Sequence, residues 1–84
     1  MREELIAELY NAVDETKEIS LAIGNDVAYF DINIVPDEIH VMDAGVTICF
    51  GNSSITIITN DVKYNDVDDV YLVAGLENSV VIAC

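Results

Sequence analysis

The first stretch of the chain has apolar residues at the period of an α-helix. Leu5, Leu9 and Val13 recur every four residues, so they line one face of a helix. Two glutamates fall in the first turn, where negative charge interacts favourably with the helix dipole. The pattern predicts a helix from Arg2 to Glu18, and Gly24-Asn25 ends any continuation.

Beyond that point apolar and polar residues alternate with a period of two, which is typical of β-strands. In the clearest case, Phe30, Ile32 and Ile34 point to one side and the residues between them to the other. Pro, Gly, Asn and Asp residues separate the successive runs, as expected of turns. The predicted strands are Val27–Val35, Glu38–Met42, Val46–Phe50, Ile55–Thr59, Val70–Ala74 and Val80–Ala83.

Strands this short, joined by short connections, pair most readily in the antiparallel sense. The sequence therefore predicts one α+β domain over residues 1–84, with an N-terminal helix packed on an antiparallel β-meander or small roll of five to six strands. The polar segment 60–69 interrupts the strands, and we expect a loop there with a helical turn near 65–69.

The last two predicted strands carry apolar residues on both faces. Val73 follows Leu72, and Val81 lies between Val80 and Ile82. Hydrophobic residues make up 52% of the chain, which is more than a small core is expected to bury. We therefore expect either that both faces of the sheet are covered or that one face meets a second subunit in a homodimer.

Charge is the strongest compositional feature. The chain has 16 Asp and Glu residues against 3 Lys and Arg, a formal net charge of -13. The apolar content excludes a disordered acidic tail, and so few basic residues exclude direct binding to nucleic acid. Negative charge also opposes binding to anionic membranes. Because neither a secretory signal nor an apolar run of membrane-spanning length is apparent, the sequence predicts a cytoplasmic protein.

Residues that could carry catalysis are few. His40 shares a strand face with Glu38 and Met42 but has no nucleophile motif beside it, and the glycines occupy turn positions rather than a phosphate-binding loop. Cys49 and Cys84 are expected to be free thiols, because the predicted compartment is reducing. Together with a single histidine they do not form a zinc motif. We expect neither an enzyme nor a protein with a cofactor or resident metal.

Four aspartates crowd the polar segment: Asp61, Asp66, Asp68 and Asp69. They have three interpretations: a solvated loop, a site for a hard cation such as Ca²⁺, or a contact surface for a basic partner. The segment lacks both the central glycine and the closing glutamate of an EF-hand loop.

A second set of acids is spaced for one face of the predicted helix, opposite its apolar stripe. This set comprises Glu4, Glu8, Glu15 and Glu18, together with Asn11. Like charges one turn apart weaken a helix by a few tenths of a kcal/mol, which favours a use other than stability. With a rise of about 1.5 Å per residue, Glu4 and Glu8 lie about 6 Å apart, near the spacing of neighbouring phosphates along a nucleic-acid strand. A simple solvated face is the alternative.

Three functions remain open. The first is a nucleic-acid mimic whose helix and loop acids occupy the basic groove of a nucleic-acid-binding protein such as a nuclease. In being small, acidic, α+β and without catalytic motifs, the chain resembles phage-encoded inhibitors of host nucleases, including anti-CRISPR proteins and inhibitors of restriction or DNA-repair enzymes. The second is a non-catalytic assembly or adaptor protein that forms an oligomer through its apolar sheet face, with acidity serving solubility. The third is a module that binds a small cationic ligand or a metal ion.

Overall fold

The computed structural model describes residues 2–74 and 79–84, which form one helix and eight strands. The helix, α1, spans Arg2–Asp14. The strands are β1 (Ile19–Gly24), β2 (Tyr29–Ile34), β3 (Glu38–Met42), β4 (Gly45–Phe50), β5 (Ser53–Ile57), β6 (Val62–Asn65), β7 (Val70–Ala74) and β8 (Ser79–Ala83). The α+β class, with its N-terminal helix and antiparallel strands, is confirmed, and the strands outnumber the five to six expected. Most of the connection between the last two predicted strands, residues 75–78, lies outside the described residues.

The strands form two sheets. β2, β1, β8, β7 and β6 lie side by side in a five-stranded sheet, and β3, β4 and β5 form a three-stranded meander. Every neighbouring pair is antiparallel. Because β1 pairs with β8, the larger sheet joins the β1–β2 hairpin to the β6–β7–β8 meander.

One hydrophobic core lies between the helix and the two sheets. Leu9 of α1, Ile48 of β4 and Ile82 of β8 are all fully buried in it, so each layer contributes to the same core. Arg2 fastens the start of the helix to the three-stranded sheet, because its guanidinium donates hydrogen bonds to the carbonyl oxygens of Met42 and Gly45. The core therefore depends on the position of the helix as well as on sheet pairing.

Two strands lie where the sequence analysis placed none. In β1, Ile19 and Leu21 are buried and alternate with the exposed Ser20, a strand pattern that directly follows the predicted helix. In β6, Val62 is partly buried and faces Val73 of β7. The prediction of a loop over the polar segment was thus wrong for its first half, and its second half is a four-residue turn between β6 and β7. β6 is short and mostly polar, and such a strand is stabilised by its neighbour rather than by its own propensity.

The helix ends four residues before the predicted Glu18, at a local hydrogen-bonded cap. The Thr16 N–H donates to the Val13 carbonyl at 3.2 Å, and the Lys17 N–H donates to the Ala12 carbonyl at 2.8 Å. Thr16 has a φ of 53°, so it adopts the left-handed conformation that closes such a Schellman motif. Glycine is usual there, because a Cβ, and a branched one above all, strains this conformation.

Replacing Thr16 with glycine should therefore stabilise the protein. We expect Thr16→Gly to raise the free energy of unfolding by about 0.5–1 kcal/mol, because the left-handed strain is removed while the cap hydrogen bonds stay. Urea unfolding followed by circular dichroism measures the change. Thr16→Ala is the matched control, since it shortens the side chain but keeps the Cβ. An equal gain in both variants would contradict a role for backbone strain.

Candidate acidic interface

The helix acids Glu4 and Glu8 are exposed and lie one turn apart on α1. The sequence predicted that they lie opposite the apolar stripe of the helix, and this is wrong. With 3.6 residues per turn, Glu8 is rotated only about 60° from Leu5 around the helix axis. Glu8 therefore flanks the buried face of the helix and lies close to the residues on which that face packs.

The other two predicted helix acids lie outside the helix, so the prediction that one helix face carries all four was wrong. Glu15 follows the last helical residue, and its carboxylate accepts a hydrogen bond from the Asn11 amide at 3.5 Å. Glu18 directly precedes β1 and is exposed. The left-handed turn at Thr16 separates them from one another and ends the helical spacing.

The four aspartates of the polar segment do not form one cluster. Asp61 precedes β6, and its carbonyl accepts a hydrogen bond from the Ala74 N–H at the end of β7. Asp66, Asp68 and Asp69 lie in the turn at the other end of β6. Five residues of extended chain span about 16 Å, which is roughly the distance of Asp61 from that turn.

The β6–β7 turn has a defined conformation. The side-chain oxygen of Asn65 accepts hydrogen bonds from the backbone N–H groups of Val67 and Asp68, at 3.0 and 3.3 Å. Asp69 closes the turn with a φ of 54°, a conformation in which Asp and Asn are enriched. The tyrosine hydroxyl of Tyr64 donates a hydrogen bond to the Asp69 carboxylate at 2.5 Å. The acids of this turn are therefore held in place rather than carried on a free loop.

Tyr71 links the helix acids to the β6–β7 turn, because charges from both act on it. It follows the turn in β7, is only 8% exposed, and its ring is tilted against that of Tyr64 with 5.1 Å between centroids. Burial raises the pKa of Tyr71, and the negative charges of Glu8, Glu4 and Asp69 raise it further. A single hydroxyl is thus within electrostatic range of acids from both elements.

Cys84, directly after β8, is affected by acids of the same two elements. Burial raises the pKa of this thiol to about 11, with further contributions from the charges of Glu8 and Asp69 that Lys17 partly opposes. We define the acidic surface as the exposed carboxylates of α1 and the β6–β7 turn that meet around these two groups. Its members are Glu4, Glu8 and Asp69, whose charges act on these groups, together with Asp66 and Asp68 of the same turn.

Glu18 lies near this surface, and Asp61 lies away from it. Ser20 pairs with Ala83, so Glu18 is at the same end of the five-stranded sheet as Cys84. Two strand spacings, about 10 Å, separate β1 from β7. Of the predicted acids, Asp61 is at the opposite end of the sheet, and Glu15 is in the connection after the helix.

Among the described residues, no basic side chain forms an ion pair with the acidic surface, although the charge of Lys17 acts on Cys84. Within residues 2–74 and 79–84 the one ion pair joins His40 Nε2 to Glu38 Oε1 at 3.4 Å, and both side chains are more than half exposed. The Arg2 guanidinium is bonded to backbone carbonyls instead. The carboxylates of the acidic surface therefore present their charge to the solvent.

Among the described residues, no three His, Cys, Asp or Glu side chains are placed to hold a metal ion together. Cys49 and Cys84 are free thiols. The described part of the chain contains no helix with the length and apolar character needed to cross a membrane. No protein-family model, curated protein or solved structure matches this chain. The functional argument therefore depends on the geometry of the acidic surface.

The hydrogen bond between Tyr64 and Asp69 can be tested by titration. The bond favours the neutral phenol and raises the pKa of Tyr64 from 10.0 to about 12. Because the folded pKa exceeds the unfolded one, the stability that this group contributes is present below about pH 10 and is lost as the pH rises towards 12. Asp69→Asn should return the Tyr64 pKa towards 10, as measured by ultraviolet absorption of tyrosinate.

Asparagine is a suitable replacement in this experiment because it tolerates the left-handed backbone of Asp69. Tyr64→Phe is the control that assigns the ionisation of Tyr64 in the absorption titration, because it removes this phenol and leaves the other three tyrosines. A Tyr64 titration that is the same with and without the Asp69 carboxylate would show that the bond does not form in solution.

Proposed function

We propose that this protein is a small acidic inhibitor that occupies the basic nucleic-acid-binding groove of a partner protein, as a nucleic-acid mimic. The observation that carries the proposal is the acidic surface, whose five exposed carboxylates come from α1 and the β6–β7 turn, two elements whose charges both act on Tyr71. Lys- and Arg-lined grooves attract negative charge over long distances and accelerate its association.

The arrangement of these acids supports mimicry more than a general role in solubility. Glu4 and Glu8 are about 6 Å apart along the helix axis, near the spacing of successive phosphates. Asp69 is held by Tyr64, and the turn that carries Asp66 is fixed by Asn65. Charges that are already ordered lose less conformational entropy when they bind than charges on a mobile chain.

The proposed partner is a basic protein that binds nucleic acid, such as a nuclease. The inhibitor would act without catalysis or cofactor, by steric and electrostatic competition for the groove. Phage-encoded anti-defence inhibitors, anti-CRISPR proteins among them, are the class that fits this mode of action, and the host cytoplasm is then the place where the protein works.

A tagged pull-down from bacterial lysate at about 0.05 M and about 0.5 M salt tests the proposal, because screening weakens charge–charge contacts at the higher concentration. We expect capture of a nucleic-acid-binding protein at low salt only, and its release when duplex or single-stranded nucleic acid is added as competitor. Retention of the same partner in high salt, or no effect of the competitor, would rule out a shared groove.

A second candidate function is assembly through an apolar sheet face. The observation in its favour is that the side of the five-stranded sheet away from the core is uncovered, with Leu72 still 38% exposed there. An apolar interface should hold or tighten as salt rises, which is the opposite of the response expected of a mimic.

A further inference from the structure

The uncovered side of the five-stranded sheet, here called the outer face, has an ordered row of side chains. Strand register places five residues in line across the sheet, one from each strand. In the order β2, β1, β8, β7 and β6 they are Asp31, Ala22, Val81, Leu72 and Lys63. The row is apolar in its middle and carries opposite charges at its two ends.

We propose that the outer face binds a second copy of this chain, in a face-to-face dimer whose two-fold axis runs parallel to the strands and passes beside Val81. Sheets stack in this way about 10 Å apart with their strands nearly aligned. Such an axis reverses the order of the row, so Asp31 of each copy faces Lys63 of the other. The dimer does not depend on the proposed inhibitor function, because it uses the face opposite the core.

The charges favour this two-fold axis over the other axis that can lie between the two sheets. A two-fold axis perpendicular to the strands would place each strand against its own copy, so that Asp31 would face Asp31 and Lys63 would face Lys63. Like charges directly opposite one another are unfavourable, whereas the parallel axis forms two complementary pairs. The positions of one acid and one base thus specify the orientation of the dimer.

Side-chain size agrees with the same axis. Because the row is reversed, the large Leu72 of each copy faces the small Ala22 of the other. At the centre, Val81 of one copy contacts Val81 of the other. An open depression surrounds Ala22, and its lining includes Ser20, Val81 and Ala83. Leu72, which is 38% exposed in the single chain, is placed to fill it. Large residues opposite small ones allow two sheets to interdigitate.

The interface is small, so we expect a reversible dimer rather than an obligate one. Five strands span about 19 Å, and strands of five residues are about 17 Å long, so each copy offers a footprint of only about 320 Å², in the size range of weak, transient contacts. A charge of -13 on each copy adds long-range repulsion. The wild-type protein should therefore dimerise at concentrations of about 10–500 µM, and more readily at about 0.15 M salt than at about 0.02 M salt.

Two single substitutions test the geometry by sedimentation velocity at about 0.15 M salt, where contacts at close range are only partly screened. Asp31→Lys and Lys63→Asp each place like charges opposite one another, and each should weaken self-association at least about tenfold relative to wild type. An equimolar mixture of the two variants restores both complementary pairs. It should sediment as a species of twice the 9.2 kDa monomer mass.

Asp26→Lys and Lys17→Asp are the matched controls, because they make the same changes in net charge outside the strands that form the outer face. Each should dimerise like the wild type, and their mixture should gain nothing. A wild-type protein that stays monomeric up to about 500 µM, or variants that fail to associate when mixed, would overturn the proposal.

Discussion

Reversing the charges of Glu8 and Asp66 together should reduce affinity for a basic nucleic-acid-binding partner by about 100-fold or more, because two attractive contacts become repulsive. The two residues come from the two elements of the acidic surface, and both side chains are exposed. We choose Asp66 over its neighbours because Asp68 and Asp69 accept hydrogen bonds from Asn65 and Tyr64. The double variant should therefore fold normally while it loses binding.

The matched control is the double variant Asp26→Lys and Glu38→Lys. It changes the net charge by the same amount, but Asp26 lies in the β1–β2 connection and Glu38 in the three-stranded sheet. Isothermal titration calorimetry with the captured partner measures the affinity of each double variant and of the wild type. Circular dichroism checks that the variants fold. Equal losses in both would mean that net charge alone governs binding, and the acidic surface would not be the contact.

Gly45→Ala should destabilise the protein by about 3 kcal/mol or more, because β4 and β5 approach too closely at this residue to admit a side chain. A Cβ on Gly45 would lie 1.8 Å from the Ile57 carbonyl oxygen and 2.8 Å from its carbonyl carbon. Both atoms belong to the backbone of a paired strand, and Ile57 itself is buried. This clash is removed only if β5 moves away from β4, which opens the three-stranded sheet and the core beneath it.

Gly51→Ala provides the comparison, because a Cβ there meets nothing within 4 Å and only its φ of 58° opposes the change. It should cost about 1 kcal/mol. In a domain of this size about 3 kcal/mol lowers the melting temperature by more than about 12 °C, so thermal unfolding separates the two variants clearly. Similar melting temperatures would show that β5 does not pack against β4 as closely as described.

Local pattern was sufficient where a strand has clear boundaries. β3 and β7 begin and end at the predicted residues, since polar or turn-forming residues flank both. The helix was extended too far, because Glu15 and Glu18 continue its periodicity and threonine is not an expected residue for a left-handed cap. β6 was missed because its pairing with β7, rather than its own polar composition, makes it a strand. β1 had a signal of its own, the alternation of Ile19 and Leu21 with Ser20, directly after the predicted helix.

The candidate site was predictable only as a list of exposed acids. That Asp61 is separated from Asp66 follows from β6, which the polar composition hides. The position of Glu8 beside Tyr71 depends on how the helix lies on the sheet, and no local pattern encodes it. The contact of Tyr64 with Tyr71 requires the register of the β6–β7 hairpin, for which the Asn65 turn was the available signal.

The place of β8 in the five-stranded sheet has a consequence for how the chain folds. β8 is the central strand of that sheet, yet it is synthesised after all the others. Ser20 can pair with Asn33 of β2 early, but its second partner, Ala83, becomes available last. Pairing across so much sequence raises the contact order and slows folding. During translation the β1–β2 hairpin and β7 each keep an unpaired apolar edge, the kind of edge on which nascent chains aggregate or recruit chaperones.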